Sequence, residues 1–235
     1  MKRDKCTAIL LAAGKGTRME SKIPKQFMNI LDKPVLYYSL ECFQNCVLIN
    51  EVILVTAQEM LPYCEKHFSA QCGFTKVTHI ITGGSERYDS VYEGLKLCNE
   101  PDYVFIHDGA RPFLTEEILL RGYEKVISTG ACVAAVPSKD TIKLTDRNGL
   151  VRETPNRDEV WIVQTPQIFR YEVIRSAYDR LQTQDKTGIT DDATVVEKMD
   201  NYPVFTYEGN YKNIKITTAE DLEIAEIFAQ QLEKC

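Results

Sequence analysis

The sequence predicts an α/β fold built on a mostly parallel β-sheet, and three observations carry that expectation. Short runs rich in β-branched residues alternate with stretches of helical periodicity along the whole chain, the pattern of helices packed on a parallel sheet. The first run, residues 8–13, is wholly apolar, as suits a strand buried on both faces. Gly14, Gly84 and Asp108 each follow a predicted strand. Three loops therefore converge outside the carboxyl ends of the strands, where open α/β sheets bind ligands.

After the first strand, Leu36, Leu40, Phe43 and Val47 recur at helical spacing. Residues 51–56 read as a second strand, 61–68 as a short helix, and 77–81 as a third strand ending at Gly83-Gly84. A helix then begins near Asp89, and residues 103–107 form a fourth strand with Asp108 at its carboxyl end. Residues 115–129 are helical, with Thr115 as the cap and Glu116 and Glu117 in the first turn, where the helix dipole favours negative charge. Residues 132–136 form the next strand.

Residues 140–145 and 150–154 then flank Asn148-Gly149, a hairpin turn signal. This hairpin is polar over most of its length and is expected to project from the sheet, which a simple surface flap would also do. The chain re-enters the core at 160–163, ahead of Gln164-Thr165-Pro166-Gln167. Helices follow at 171–181 and 190–199, and two last strands at 204–207 and 213–217, the second carrying Lys215. Thr218 and Asp221 have capping-box spacing at the start of a final helix that buries Leu222, Ala225, Ala229 and Leu232. No repeat or linker interrupts the chain, so the expectation is one domain, 1–235, with a hairpin arm at about 138–158.

The composition, 235 residues with 44% hydrophobic and 26% charged, suits a globular chain with a sizeable core. A net charge of −6 argues against nucleic-acid binding but leaves room for a locally positive pocket. No apolar run approaches the length of a membrane span. Lys2, Arg3 and Lys5 ahead of the first strand mimic a signal peptide, but the run is too short and Gly14-Lys15-Gly16 ends it, so a cytoplasmic protein is expected. The eight cysteines form no C-x-x-C and are read as free thiols, with Cys42 and Cys46 on one helix face. The histidines, at 67, 79 and 107, are too scattered for a metal triad.

Gly14-Lys15-Gly16 allows the backbone to approach a ligand and turn N–H groups onto phosphate oxygens, and Arg18 and Lys25 add two cations. The stretch reads as a polyphosphate site of an uncommon kind. The dinucleotide fingerprint fails because Met19 stands at its third glycine and Pro24 interrupts the helix it needs. The Walker-type spacing is absent.

The residues L-A-A-G-x-G-x-R-M and P-K-Q resemble the signature of the sugar-phosphate nucleotidyltransferases. Together with Gly83-Gly84-x-Glu86-Arg87-x-x-Ser90-Val91 and His107-Asp108-Gly109-Ala110-Arg111-Pro112, the chain is similar to the 2-C-methyl-D-erythritol 4-phosphate cytidylyltransferase family, with matches extending to Lys215. The resemblance implies a Rossmann-like three-layer sandwich and a homodimer joined through the hairpin arm. It implies transfer of the cytidylyl group of CTP to a sugar-alcohol phosphate, with pyrophosphate leaving and Mg2+ bound. It assigns Arg18 and Lys25 to the transition state, and Ala12, Ala13, Gly14 and Gly16 to base and phosphates. Gly84 and Ser90 fall on the cytosine, with Gly109 also on the CTP side; Asp108 falls near the metal and the acceptor. Thr141, Arg157 and Lys215 fall on the acceptor phosphate with Arg111 nearby, and Arg157 and Lys215 count among the catalytic cations.

That chemistry needs no general base, because a phosphate monoester with a second pKa of about 6 is already a nucleophilic anion near pH 7. It needs cations to join two anions and to stabilise charge at phosphorus. The related ribitol 5-phosphate activity is the alternative, and Glu86-Arg87 and Ala110 favour methylerythritol. A nicotinamide enzyme is disfavoured by the broken fingerprint. A non-catalytic nucleotide-binding subunit is disfavoured by the presence of Arg18, Lys25 and Asp108 together.

Overall fold

The apolar run that opens the chain becomes β1 (Cys6–Ala12), and the rest of the fold is assembled around it. A computed structural model describes residues 4–14 and 23–232. Beyond β1 come a small hairpin, β2 (Asn29–Ile30) and β3 (Lys33–Pro34), then α1 (Val35–Asn45), β4 (Ile49–Thr56), α2 (Leu61–Phe68), β5 (Val77–Thr82) and α3 (Arg87–Leu97). Next are β6 (Tyr103–Asp108), α4 (Glu116–Thr129), β7 (Ala131–Pro137), the hairpin β8 (Leu144–Thr145) and β9 (Val151–Glu153), and β10 (Trp161–Arg170). The chain closes with α5 (Tyr171–Leu181), α6 (Asp192–Asp200), β11 (Phe205–Glu208) and α7 (Ala219–Leu232).

The described strands form a seven-stranded sheet in the order β11-β7-β10-β6-β1-β4-β5. β1 runs parallel to both β4 and β6, β4 to β5, and β7 to β11. β10 alone among them pairs antiparallel, with β6 on one side and β7 on the other. The carboxyl ends of β1, β5 and β6 therefore lie along one edge, as the sequence predicts.

Alternation along β1 divides the core into two layers. Ala8, Leu10 and Ala12 face Leu36, Leu40 and Phe43 of α1, with α2 and α4 in the same layer. Ile9 and Leu11 face Val91 and Leu95 of α3, with α5 and α6 beside them. Helices thus cover both faces of the sheet and complete the three-layer sandwich. Each fully buried leucine or isoleucine contributes roughly 1.5–3 kcal/mol by leaving water. A third cluster, in which Ala225 and Ala229 of α7 meet Ile30, Val35, Phe113 and Ile216, ties the C-terminal helix to the site end of the molecule.

Local signals act where expected. The Thr115 hydroxyl accepts the N–H of Ile118 at the start of α4, and Gly130 ends that helix with φ +78°. Leu222 packs partly buried on the third cluster, whereas the Leu232 side chain lies outside the described residues. Seven cysteines, Cys6, Cys42, Cys46, Cys64, Cys72, Cys98 and Cys132, are free thiols.

Three expectations need correction. Trp161, Ile162 and Val163 are exposed (38%, 48% and 42%), and burial begins only at Gln164, so the chain enters the core one turn of sequence later than its hydrophobicity suggests. The β8–β9 hairpin exists around Gly149 but pairs only residues 144–145 with 151 and 153, because its flanks have no sheet to join. Residues 213–217 form no ladder. Their β-branched composition mimics a strand, but one backbone bond, Ile216 N–H to the Ala110 carbonyl (2.8 Å), and side-chain anchors hold them instead.

Candidate active site

The edge where β1, β5 and β6 end carries the predicted nucleotide loop and the Asp108 motif side by side. The Gly109 N–H donates to the Leu11 carbonyl (2.8 Å), and the Gly83 N–H to Thr56 (2.8 Å), so both loops are pinned to neighbouring strands. Gly83 is needed for close approach. A Cβ there would lie 2.5 Å from Ser90 Oγ and 2.7 Å from Ala13 Cβ, so Ala13, Gly83 and Ser90 are packed tightly together. Ser90 Oγ accepts the Gly84 N–H (3.2 Å) and donates to the Glu86 carbonyl (3.2 Å), fixing the turn into α3. A Cβ on Gly109 would lie 2.7 Å from Leu36 Cδ1 and 2.9 Å from the Leu11 carbonyl, so glycine fits this chain's packing there.

On the nucleotide loop, Gly14 is exposed and its carbonyl accepts Gln26 Nε2 (3.0 Å). Lys25 is 8% exposed in a short 3-10 turn, Lys25–Phe27, beside it. Arg18 and Gly16 lie outside the described residues.

Asp108 is the centre of charge. Its Oδ1 accepts Arg87 Nε (3.1 Å) and its Oδ2 accepts Lys215 Nζ (2.6 Å). Burial alone would raise its pKa, but Arg87, Lys215 and Arg111 outweigh it and hold the carboxyl well below the usual range. Arg87 turns its remaining fork onto Asp192, with Nη1 at 2.9 Å from Oδ1 and Nη2 at 2.7 Å from Oδ2. Burial opposes the charge of Arg87, and the two carboxylates more than restore it. Arg87 is thus an ion-pair bridge between Asp108 and Asp192.

A second set of bonds braces this centre from below. The Asp108 N–H donates to Thr165 Oγ1 (3.1 Å), Thr165 meets His107 Nδ1 (3.0 Å), and His107 Nε2 meets the Arg111 carbonyl (3.1 Å). A carbonyl only accepts, so Nε2 carries the proton and Nδ1 accepts from the threonine. Burial pushes the fully enclosed His107 down to about 4 from 6.5, which keeps it neutral. Arg111 Nη1 donates to the Asn213 carbonyl (2.8 Å), and Asn213 Nδ2 to the Thr165 carbonyl (2.8 Å). Arg111 therefore holds the segment that delivers Lys215.

Thr141 and Arg157 are exposed near the hairpin, and among the described residues no hydrogen bond or ion pair joins either side chain to the Asp108 centre. No group of three or more His, Cys, Asp or Glu among the described residues is placed to hold a metal.

Residues 6–231 match the family model described as IspD: 2-C-methyl-D-erythritol 4-phosphate cytidylyltransferase. The chain belongs to this family. A 2-C-methyl-D-erythritol 4-phosphate cytidylyltransferase of Lachnospira eligens is 49% identical over 223 residues, spanning 94% of this chain and 98% of its own length. One of Lachnoclostridium phytofermentans is 45% identical over 228 residues, 97% of each chain. The crystal structure of 4-diphosphocytidyl-2C-methyl-D-erythritol synthase from Anaerococcus prevotii superimposes with a TM-score of 0.82 at 32% identity, covering 97% of this chain and 96% of that one.

The structure pairs Asp108 with Lys215 and Gly84 with Ser90, and it gives three further residues partners that the motifs do not announce. Gly83 packs tightly against Ser90 and Ala13, and the Gln26 amide donates to the Gly14 carbonyl. Asp192 gave no signal beyond following a helix cap, because its partner Arg87 is 105 residues away in sequence.

Proposed function

We propose that the chain transfers the cytidylyl group of CTP to 2-C-methyl-D-erythritol 4-phosphate, forming 4-diphosphocytidyl-2-C-methyl-D-erythritol and pyrophosphate. The observation that carries this reading is the Asp108–Lys215 pair at the carboxyl end of β6, in a chain of this family. The small residues Ala13, Gly83, Gly84 and Ser90 suit a pyrimidine, whose amino and carbonyl edge is read by small residues and backbone groups. Ala12, Ala13, Gly14, Gly16, Gly84, Ser90 and Gly109 are assigned to CTP, and Arg18 and Lys25 to the charge that develops at phosphorus.

The acceptor phosphate attacks in line and pyrophosphate leaves. Lys215 has three N–H donors and spends one on Asp108, which leaves two for the acceptor phosphate. Asp108 limits where that ammonium sits. Arg87 spends three of its five N–H donors on the carboxylates of Asp108 and Asp192, so its role is to order the site. Thr141 and Arg157 complete the acceptor site.

The donor set suits a Mg2+ that arrives on the triphosphate. Each Asp108 oxygen accepts one N–H and keeps a lone pair, so Asp108 would be its protein ligand, the rest being phosphate oxygens and water. Bound there, the ion neutralises phosphate charge.

The chain is read as a single cytoplasmic domain that pairs through its arm. The apolar surface on and beside the hairpin supports that pairing: Leu144, Leu150 and Val151, with Trp161, Ile162 and Val163, are all exposed. Among the described residues no helix is long and apolar enough to cross a membrane. The deciding assay is pyrophosphate release with Mg2+, a panel of nucleoside triphosphates, and the methylerythritol and ribitol phosphates side by side. CTP with methylerythritol phosphate is expected to give the highest kcat/KM; a preference for ribitol phosphate would overturn the acceptor.

A further inference from the structure

Asp192 is wholly buried, yet nothing in the transfer chemistry calls on it. It begins α6, and the fold spends several groups on placing it. Gln167 of β10 accepts the N–H groups of Asp192 and Ala193 (3.0 Å each), and its own amide donates to Asp191 Oδ2 (2.7 Å). Asp191 in turn caps α6 through the Thr194 N–H (2.9 Å). The helix start is thereby locked to the central sheet. The Asp192 carboxylate then receives both Nη atoms of Arg87 and the Tyr178 hydroxyl (2.6 Å).

A buried ion pair is weak evidence of stabilisation, since well-packed apolar residues often serve as well. What the pair supplies here is direction. A guanidinium prefers to present two parallel N–H groups to one carboxylate. Asp192 takes the end-on edge, and Arg87 turns its Nε–H onto Asp108 (3.1 Å). Asp108 is left with its other oxygen for Lys215 (2.6 Å). The four charges alternate in one line, Asp192, Arg87, Asp108 and Lys215, from the core to the site.

We propose that Asp192 is a positioning residue for the transfer reaction. By holding the end-on fork of Arg87 it fixes the guanidinium with its Nε–H on Asp108, and so keeps Asp108 in the orientation that places the Lys215 ammonium. This rests on the functional reading above, in which Lys215 holds the acceptor phosphate.

The test is a double-mutant cycle on the full-length enzyme, using Asp192→Asn, Arg87→Gln and the double variant, with thermal midpoints measured alongside. Asparagine keeps the shape and removes the charge that holds the fork. Asp192→Asn is expected to lower kcat/KM for the acceptor by about ten- to a hundredfold while KM for CTP changes less than about threefold. If Asp192 acts through Arg87, the double variant is no worse than the poorer single one; independent effects would multiply. Multiplying losses, or unchanged kinetics in a folded Asp192→Asn enzyme, would overturn the proposal.

Should Asp192→Asn not be recovered folded, Tyr178→Phe removes one donor from the same carboxylate. It is expected to lower acceptor kcat/KM severalfold without raising KM for CTP, and unaltered kinetics would again overturn the idea. A wild-type enzyme that releases no pyrophosphate from CTP and methylerythritol phosphate would sink the functional reading and this inference together. An active wild type with an indifferent Asp192 sinks this inference alone.

Discussion

Lys215 Nζ lies 2.6 Å from Asp108 Oδ2, although the two residues are 107 positions apart and Lys215 belongs to no strand or helix. The pairing is made by anchors on either side of the lysine. Upstream, Asn213 binds Thr165 and receives Arg111; downstream, Ile216 bonds to Ala110 and the Asp221 carboxylate accepts the N–H groups of Thr217 and Thr218 (2.7 and 2.9 Å). An irregular segment held at both ends can aim a long side chain as firmly as a strand does.

The first prediction follows from that aim. Lys215→Met keeps the length of the side chain and removes its charge. It is expected to lower acceptor kcat/KM by about 10²–10³, the cost of one well-placed charged group, with CTP binding much less affected. Steady-state kinetics with each substrate varied in turn decide it; a loss confined to thermal stability would leave Lys215 a structural partner of Asp108.

Gly83 offers a test of the cytosine assignment. Gly83→Ala would drive a methyl group against Ser90 and Ala13, and is expected to raise KM for CTP at least about tenfold with a smaller change in kcat. The overpacking costs about 1–3 kcal/mol of stability. Unchanged CTP affinity, measured by calorimetry or kinetics, would mean that cytosine does not bind beside Gly83 and Ser90.

His107 makes a prediction about stability against pH. Its pKa falls from 6.5 unfolded to about 4 folded, so between these values the unfolded chain binds the extra proton. Stability is then fully present above about 6.5, declines as pH falls toward 4, and levels off below, with a total on the order of 3 kcal/mol. Denaturant titrations of wild type and His107→Gln from pH 4 to 7 should differ in slope over that window. Parallel curves would show that the histidine is not held neutral.

The shared-site arrangement is tested by mixing lesions. If arms exchange in a two-fold dimer, Arg157 of one protomer serves the site that holds the partner's copy of Lys25. Lys25→Ala and Arg157→Ala homodimers should each be nearly inactive. The purified mixed dimer should regain roughly half of wild-type activity, because one site carries both lesions and the other carries none. A mixed dimer as inactive as its parents would place the two residues in one site of one chain.

Periodicity alone placed α2 and α5 at their observed bounds, 61–68 and 171–181, and located β1, β4, β5 and β6 to within two residues or so at either end. These elements are legible because each buries a face whose period is written locally in the chain. The strand-end rule likewise put Gly14, Gly84 and Asp108 on one edge before any contact was known. The motif resemblance carried the family.

Other features depend on residues far apart. The run at 161–163 looks like core and is surface, because hydrophobicity does not say whether a face is covered by this chain or by another. Residues 213–217 look like a strand and pair with none, because a ladder needs a free neighbouring edge as well as β-branched side chains. The sequence marks Arg87 only as a motif residue, and its fork rests on Asp192, which no local pattern announces. Amino-acid order records which residues are charged and which turns are tight; which carboxylate an arginine meets depends on the packing of α3, α6 and β6, since attraction between charges is set by distance and burial, and neither is written locally in the sequence.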